Sequence, residues 1–143
     1  MLHTNVISGF EGEYRWLSNF WIFDPTRNLS VEHYYQAAKT TNEFDYNYIM
    51  NSGLTPGRVK KFAKTITIRD DWDSVKLIVM EELTKMKYMQ NKELQNKLRE
   101  TRGSYIIETN YWGDIFWGVC DGVGENHLGK IIMKVRDEFL QYV

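Results

Sequence analysis

Two long segments of this chain carry apolar residues at steps of three and four positions, a spacing that places them on one face of an α-helix. In the first segment these residues are Trp72, Val75, Val79, Leu83 and Met86. In the second segment they are Leu128, Ile131, Ile132, Val135 and Phe139. Each face has to be covered by other parts of the chain, so the sequence predicts a core of packed helices, with the second segment as the C-terminal helix.

Short extended segments accompany these helices. The stretch 6–24 is rich in aromatic residues and interrupted by glycines, which predicts one or two short strands with loops. Tyr105-Ile106-Ile107 predicts another short, buried strand. Helix-start signals and apolar spacing predict three shorter helices, over 31–41, 56–64 and 91–99. Together these elements indicate a helix-rich α+β fold with short N-terminal strands.

The length of 143 residues is that of one ordinary domain. The sequence has neither an internal repeat nor a linker-like stretch, so we expect a single domain over residues 1–143. It has no basic-then-apolar leader and no run of about 18 apolar residues, which makes the cytoplasm the expected location.

Charge and cysteine content narrow the classes of function. Lys and Arg number 18 against 19 Asp and Glu, whereas proteins that bind long duplexes non-specifically normally carry a positive excess. A local basic cluster remains at Arg58, Lys60, Lys61 and Lys64. It suits phosphate contacts, or it is the solvated side of a short helix. The single Cys120 and the scattered His3, His33 and His127 lack the spacing of metal ligands, so we expect neither a metal nor an intramolecular disulfide.

One predicted helix places three polar side chains in a line. Glu32, Gln36 and Lys39 occupy positions i, i+4 and i+7, and Tyr35 flanks the same stripe. A carboxylate, an amide and an ammonium beside an aromatic ring form either the polar wall of a cleft or a solvated helix face. Two features favour the cleft. The helix dipole favours an ionised Glu32 in the first turn. A neighbouring tyrosine and two alanines are more apolar than the residues expected on a solvated helix.

His33 lies next to Glu32 and has two interpretations. A histidine beside a carboxylate can act as a general acid or base. More often such a residue is a packed imidazole bonded to a backbone carbonyl, and the structural role is the one we favour for His33.

The segment 113–129 holds five of the ten glycines. Glycine-rich turns that lead into a helix let backbone N–H groups approach a phosphate, and here Asn126 is the expected N-cap of the C-terminal helix. The negative charge of Glu125 would repel an anion bound here. The alternative to a phosphate site is a loop that binds no ligand. Trp112 and Trp117 offer faces for stacking a nucleobase, although tryptophans more often simply pack.

The order of several motifs along the chain is more specific than any one of them. The pieces are Phe10-x-Gly12-x-Tyr14-x-x-Leu17-Ser18-Asn19-Phe20, Glu32-His33-Tyr34-Tyr35-Gln36-Ala37-x-Lys39, Arg69-x-x-Trp72, Lys87-Tyr88-x-Gln90-Asn91, Glu108, Asp114-x-x-Trp117-Gly118 and Gly124-x-Asn126-x-Leu128-Gly129. In this order they resemble the NADAR family, the YbiA-like N-glycosidases. The resemblance covers nearly the whole chain.

The resemblance implies a YbiA-like fold and hydrolysis of an N-glycosidic bond between ribose and a base or base-like amine, with no metal or other cofactor. Breaking such a bond develops oxocarbenium character, which a nearby carboxylate stabilises. We therefore expect Glu32 to be the central carboxylate and Asp114 a second acid. Lys39 is expected either to form an imine with the opened ribose or to pair with a phosphate or carboxylate.

The resemblance also supplies the expected substrate-binding residues, which are Asn19, Phe20, His33, Gln36, Arg69, Trp72, Trp117, Gly118 and Asn126. Among these, Asn19 and Gln36 would hold ribose hydroxyls. Trp72 or Trp117 would stack on the base.

Three functions stay open from the sequence, and none involves a membrane. The resemblance favours removal of ADP-ribose from ADP-ribosylated guanine, as a nucleoside or in nucleic acid. The first alternative is cleavage of a small ribosylamine intermediate of riboflavin synthesis. The second is a module that binds ADP-ribose or NAD without cleaving it, which Glu32 and Lys39 oppose because a diphosphate pocket does not need an extra carboxylate.

Overall fold

A computed structural model of the chain describes residues 5–141. The strands are β1 (Asn5–Ser8), β2 (Ile22–Asp24), β3 (Leu29–Ser30), β4 (Ser104–Ile107), β5 (Thr109–Asn110) and β6 (Val119–Cys120). The α-helices are α1 (Val31–Ala38), α2 (Glu43–Asn51), α3 (Pro56–Phe62), α4 (Trp72–Gln90), α5 (Lys92–Glu100) and α6 (His127–Leu140), with 3-10 helices at Gly12–Leu17 and Ala63–Thr65. His3, one of the three histidines considered above, lies outside the described residues.

The chain forms two compact units. The helical unit comprises residues 19–90, and the mixed unit comprises residues 1–18 and 91–143 as far as they are described. Between residues 5 and 141, no helix is both long enough and apolar enough to cross a membrane.

In the helical unit, α1 packs against α2, α3 and α4. The short antiparallel pair β2–β3 leads directly into α1. The core between these helices is formed by Leu29, Ala37, Ile49, Met50 and Val59, with Tyr34, Leu54 and Phe62 at its edge. Because α1 touches every other helix of this unit, its buried face is surrounded by side chains that are distant in sequence.

In the mixed unit, β1 pairs with β4 in parallel, and β5 pairs with β6 in parallel. Helix α6 packs on β4 and on α5. Parallel neighbours cannot be joined by a tight turn, so long stretches of chain separate β1 from β4. This unit is where the predicted N-terminal strand, the strand at 105–107 and the C-terminal helix come together.

Local start signals correctly predicted where several helices begin. The Ser30 hydroxyl accepts from the backbone N–H of His33, Thr55 caps α3 with Pro56 in its first turn, and the Asn91 side chain accepts from the N–H of Leu94. The helix-rich α+β prediction, with short N-terminal strands and a C-terminal helix, is confirmed. Helix α1 ends at Ala38 rather than at residue 41, since Lys39 is already its C-cap.

Helix α2 and the 3-10 helix at Gly12–Leu17 were absent from the sequence prediction. Helix α2 begins where the side chain of Asn42 accepts from the N–H of Asp45. Only Ile49 and Met50 of this helix are buried, while its aromatic residues lie largely at the surface, so it shows no apolar stripe of helical period.

The predicted apolar face of α4 was partly wrong. Trp72 is buried as expected, but Val75, Val79, Leu83 and Met86 are only half-buried. The buried side chains are Met80, Thr84, Lys87 and Tyr88. An apolar pattern misses this stripe because two of its members, Thr84 and Lys87, are polar.

Candidate active site

Glu32 and Gln36 form a buried polar pair on α1. They are 7% and 5% exposed, and the Gln36 amide Nε2 donates to Glu32 Oε1 over 2.7 Å. The backbone N–H of Glu32 donates to the carbonyl of Asn19 over 3.0 Å, which ties the start of α1 to the preceding segment. Among the residues that the structure describes, none donates to Gln36 Oε1. A buried acceptor of this kind suits a hydroxyl donor from a ligand.

His33 is 1% exposed, and both of its ring nitrogens are bonded. The Ser30 backbone N–H donates to Nδ1 over 3.1 Å, so Nδ1 is unprotonated and Nε2–H donates to the Leu54 carbonyl over 2.7 Å. With both nitrogens engaged, His33 fastens the N-terminus of α1 to the segment before α3. This placement fits the structural interpretation rather than contact with a substrate.

Lys39 follows α1 and lies against two aromatic rings. Its Nζ is 5.1 Å from the centre of the Tyr35 ring and 6.0 Å from that of Trp72, and the two rings meet edge to face at 5.2 Å. Burial lowers the pKa of Lys39, the charges of Lys76 and Lys60 lower it further, and the Glu32 carboxylate acts in the opposite direction. A larger share of neutral amine is therefore available at Lys39 than at a solvated lysine.

Three further predicted residues lie in the same helical unit. The Arg69 backbone N–H donates to the Lys39 carbonyl over 2.7 Å, while the Arg69 guanidinium binds both carboxylate oxygens of Asp71. Asn19 Nδ2 lies 3.6 Å from Met80 Sδ. The half-exposed Phe20 ring has the Lys60 ammonium 5.9 Å from its centre. The helical unit thus contains Asn19, Phe20, Glu32, His33, Gln36, Lys39, Arg69 and Trp72.

The other four predicted residues belong to the mixed unit, where Asp114 organises a loop. Asp114 Oδ1 accepts from the backbone N–H groups of Phe116 and Trp117, over 3.1 and 2.9 Å. Asn110 binds the backbone N–H and the carbonyl of Asp114 with its side-chain amide. Trp117 is half-buried and meets the Phe116 ring edge to face at 4.8 Å. One carboxylate oxygen of Asp114 is therefore engaged in holding the loop.

Gly118 and Asn126 hold neighbouring segments of the mixed unit together. A Cβ atom at Gly118 would overlap the Glu108 carboxylate and its backbone carbonyl. Asn126 has a left-handed backbone with φ 54° and is the N-cap residue of α6, but its side chain makes no cap bond. Instead it accepts from the Glu108 N–H and donates to the Ile106 carbonyl, both over 2.9 Å. Asn126 is therefore the N-cap residue by position, as predicted, while its side chain holds the neighbouring segments instead of the helix end.

The loop before α6 offers little support for a phosphate site. The Glu125 carboxylate lies 3.2 Å from His127 Nε2 at the start of the helix. The His127 ring also packs on Phe116, with 4.5 Å between centres. Within the described residues, no three His, Cys, Asp or Glu side chains converge to hold a metal ion.

Two residues stand out that sequence reasoning did not place in the site. The Glu108 Oε2 atom accepts from Asn110 Nδ2 over 2.9 Å and lies against Gly118. Lys87, on α4, is 2% exposed, and burial lowers its pKa to about 7. In the sequence, Lys87 shares a helical stripe with Met80 and Thr84 on α4. A search for apolar residues does not detect it, because lysine is polar.

Comparison with known proteins identifies the family. The model of the NADAR domain matches residues 9–140. The chain belongs to the NADAR family. It is 35% identical over 114 residues to N-glycosidase Npun_R5314 of Nostoc punctiforme, covering 76% of this chain and 72% of that one. NADAR membership and this relative confirm the predicted class, a hydrolase of N-glycosyl compounds.

Two other similar proteins extend the comparison. The NMR structure of YbiA from Escherichia coli superposes with a TM-score of 0.85 at 27% identity, covering 99% of this chain and 88% of that one. The riboflavin biosynthesis protein PYRR of Zea mays is 32% identical over 123 residues, or 78% of this chain. Those residues are only 20% of the maize protein, so the similarity covers one part of a much longer chain.

Proposed function

We propose that this NADAR protein removes ADP-ribose from ADP-ribosylated guanine, as a nucleoside or in nucleic acid, with the whole of residues 1–143 acting as one domain. Water adds to the anomeric carbon of the ribose, the bond from that carbon to the guanine nitrogen breaks, and the nitrogen leaves with a proton. The observation that carries the proposal is the buried Glu32, held by Gln36 on the helix whose C-cap residue is Lys39. Enclosed carboxylates of this kind stabilise a developing oxocarbenium ion.

Glu32 acts in this proposal on the water or on the cationic ribose. Gln36 Nε2 holds the carboxylate, and the amide Oε1 of the same side chain accepts from a ribose hydroxyl. Asn19 binds a second hydroxyl. Trp72, in the same helical unit, is the candidate for stacking on the base.

Lys39 has two possible parts in the reaction. As a nucleophile, the neutral amine attacks the anomeric carbon of the ring-opened sugar and the base nitrogen departs with a proton. Water then hydrolyses the resulting imine and restores the amine. As a fixed cation, Lys39 instead binds a phosphate oxygen. The lowered pKa of Lys39, caused chiefly by burial, supports its role as a nucleophile.

Positive charge near Lys39 supports a substrate that carries phosphate. Lys60 and Lys76 lie near enough to Lys39 for their charges to lower its pKa, beyond the effect of burial. The Glu32 carboxylate acts in the opposite direction and Lys76 also pairs with Asp73 over 3.4 Å, so these cations favour a phosphate-bearing substrate without specifying the number of phosphates. The second candidate function, cleavage of a riboflavin-pathway ribosylamine, is favoured by the similarity to PYRR of Zea mays.

Mass spectrometry of two substrates tests the proposal. Purified protein is incubated with an ADP-ribosylated guanine oligonucleotide and, separately, with the riboflavin-pathway ribosylamine. We expect the oligonucleotide to lose its ADP-ribosyl mass with wild-type protein and to keep it with Glu32→Gln. The matched control is Glu93→Gln, an exposed carboxylate in the first turn of α5, which should cleave as wild type does.

Other results would redirect the assignment. Cleavage of the ribosylamine alone would establish the second candidate. Binding of ADP-ribose with no cleavage of either substrate would make the protein a non-catalytic reader.

A further inference from the structure

Three aromatic rings form a ladder at the surface of the helical unit. Phe44 and Tyr48 are one turn apart on α2, and their rings lie nearly parallel, 4° apart in angle with 6.5 Å between centres. The Tyr48 ring meets that of Phe62 on α3 at 4.6 Å. Phe44 is 75% exposed and Tyr48 is 38% exposed. Neighbouring exposed rings, unlike single ones, are typical of interaction sites.

Cations line the α3 side of this aromatic ladder. Arg58, Lys60, Lys61 and Lys64 are all exposed, and residues 56–65 contain no acid. Arg58 lies one helical turn before Phe62, so the guanidinium and the ring project from the same face of α3. The acids Glu43 and Asp45 flank Phe44 in the first turn of α2, at the end of the ladder away from α3.

Another cation of α3, Lys60, projects from the side of the helix opposite Phe62. Lys60 places its ammonium 5.9 Å from the centre of the Phe20 ring. Phe20 follows Asn19, whose carbonyl accepts from the N–H of Glu32. Lys60 is also close enough to Lys39 to affect it electrostatically. Cations therefore lie on both sides of α3, with Arg58 on the side of Phe62 and Lys60 on the side of Phe20.

We infer that the α2–α3 face binds a single strand of nucleic acid, with bases stacked on Phe44 and Tyr48, the Tyr48 ring backed by Phe62, and phosphates paired with Arg58 and Lys61. This inference rests on the proposed function, since it names the form in which the modified guanine arrives. Rings that alternate with cations are the usual way in which proteins hold single strands without sequence preference. The charge of the face favours this polyanion over an apolar protein partner.

A single strand fits this face better than a duplex does. Stacking on exposed rings requires unpaired bases, which a duplex does not present. The chain as a whole carries a formal net charge of -1, too little positive charge to clamp duplex phosphates along its length. The basic residues extend along only one short helix, α3.

Fluorescence anisotropy with an unmodified, labelled single-stranded oligodeoxynucleotide tests binding apart from catalysis. Phe44→Ala should weaken binding by about tenfold, the value of one stacked base. The matched control is Tyr46→Ala, because Tyr46 is 44% exposed on the same helix but takes no part in the ladder. Both side chains are largely exposed, so each variant should fold, and thermal unfolding verifies this.

Salt dependence tests the cations. Arg58→Gln with Lys61→Gln should lower the slope of log Kd against log salt by about 1.4, two phosphate contacts at about 0.7 each. The control pair Lys92→Gln and Lys130→Gln removes two exposed lysines of the mixed unit and should leave the slope unchanged. Cleavage of free ADP-ribosylguanosine should stay at the wild-type rate in Phe44→Ala and in the Arg58 and Lys61 pair.

The outcomes separate this inference from the proposed function. If Phe44→Ala binds the oligonucleotide as tightly as Tyr46→Ala does, the face is not a strand-binding surface, whatever the enzyme cleaves. If the strand binds as expected but no ADP-ribosylguanine is cleaved, the inference about binding stands and the proposed function fails. Self-association that Phe44→Ala abolishes, with unchanged oligonucleotide affinity, would make the face a protein interface and overturn the inference.

Discussion

Gln36 donates a 2.7 Å hydrogen bond to Glu32 across one turn of α1, and both side chains are buried. The bond fixes one carboxylate oxygen and leaves the Gln36 carbonyl oxygen as a buried acceptor. The pair therefore combines a held anion with a group that can receive a hydroxyl. The first prediction concerns this pair, and the others concern Lys39, Gly118 and Lys87.

Replacing Gln36 with Leu keeps the size of the side chain and removes both polar atoms. A hydrogen bond to a charged group contributes about 1.5–3 kcal/mol, so kcat/KM should fall by about 10- to 100-fold. Steady-state kinetics measure this change. Gln90→Leu, at the exposed end of α4, is the control. A kcat/KM within twofold of wild type would remove Gln36 from the site.

Lys39 should react with an amine-directed acylating reagent at lower pH than a solvated lysine does. Burial lowers the pKa of Lys39 most, so its neutral, reactive form appears earlier as the pH rises. Competitive labelling read by mass spectrometry compares Lys39 with the exposed Lys92. Since the Glu32 carboxylate raises the pKa of Lys39, Glu32→Gln should move the labelling midpoint to still lower pH. Equal labelling midpoints for Lys39 and Lys92 would contradict a lowered pKa of Lys39.

Gly118→Ala should destabilise the mixed unit. The added methyl group would overlap the Glu108 carbonyl, a backbone atom that cannot swing away, as well as the Glu108 carboxylate. Overpacking of this kind costs about 1–3 kcal/mol in the free energy of unfolding, which urea denaturation measures. Gly57→Ala is the matched control because nothing lies within 4 Å of its Cβ position and its φ is not left-handed. Equal stability of the two variants would show that the contact relaxes freely.

Lys87 should make stability depend on pH above neutrality. Its pKa is lowered to about 7 by burial, so between pH 7 and pH 10 the unfolded chain binds a proton there that the folded chain does not. The free energy of unfolding should therefore rise with pH, by about 1.4 kcal/mol per pH unit from this group alone.

Denaturation at pH 7.5 and pH 9 measures that slope, and the range stays below the titration of Tyr88, whose pKa burial raises. In Lys87→Met, the free energy of unfolding should lack the part of its rise with pH that comes from this lysine. Lys85→Met serves as the control because Lys85 is half-buried on the same helix and pairs with Glu81 over 3.7 Å. If the Lys87→Met and Lys85→Met proteins show the same slope, Lys87 is not held neutral in the fold.

Predictions that depended on local hydrogen bonding agree with the structure. Ser30, Thr55 and Asn91 each accept from a backbone N–H about three residues on, so the sequence alone indicates where α1, α3 and α5 begin. Predictions that depended on which face of a helix is buried were less successful. The buried stripe of α4 includes Thr84 and Lys87, and only the packing of other elements decides that these polar groups leave water.

In the candidate site, too, local contacts followed from the sequence and tertiary contacts did not. The spacing of Glu32 and Gln36 predicted their contact, because residues four apart on a helix are neighbours whatever surrounds them. Asn126 is the N-cap residue of α6 as predicted, but its side chain binds backbone groups of Ile106 and Glu108 and not the N–H groups of the first turn. A competing partner brought close by tertiary structure displaced the local one.

The sequence by itself determined the family, the main helix starts and the alignment of Glu32 with Gln36, since these depend on residues within a turn or on an ordered set of motifs. Tertiary structure alone decided that Trp72 lies beside Lys39, that Gly118 must lack a side chain next to Glu108, and that Lys87 is fully buried. The physical reason is that desolvation and close packing arise between segments far apart in the chain. Their effects on pKa and stability are therefore absent from any local pattern.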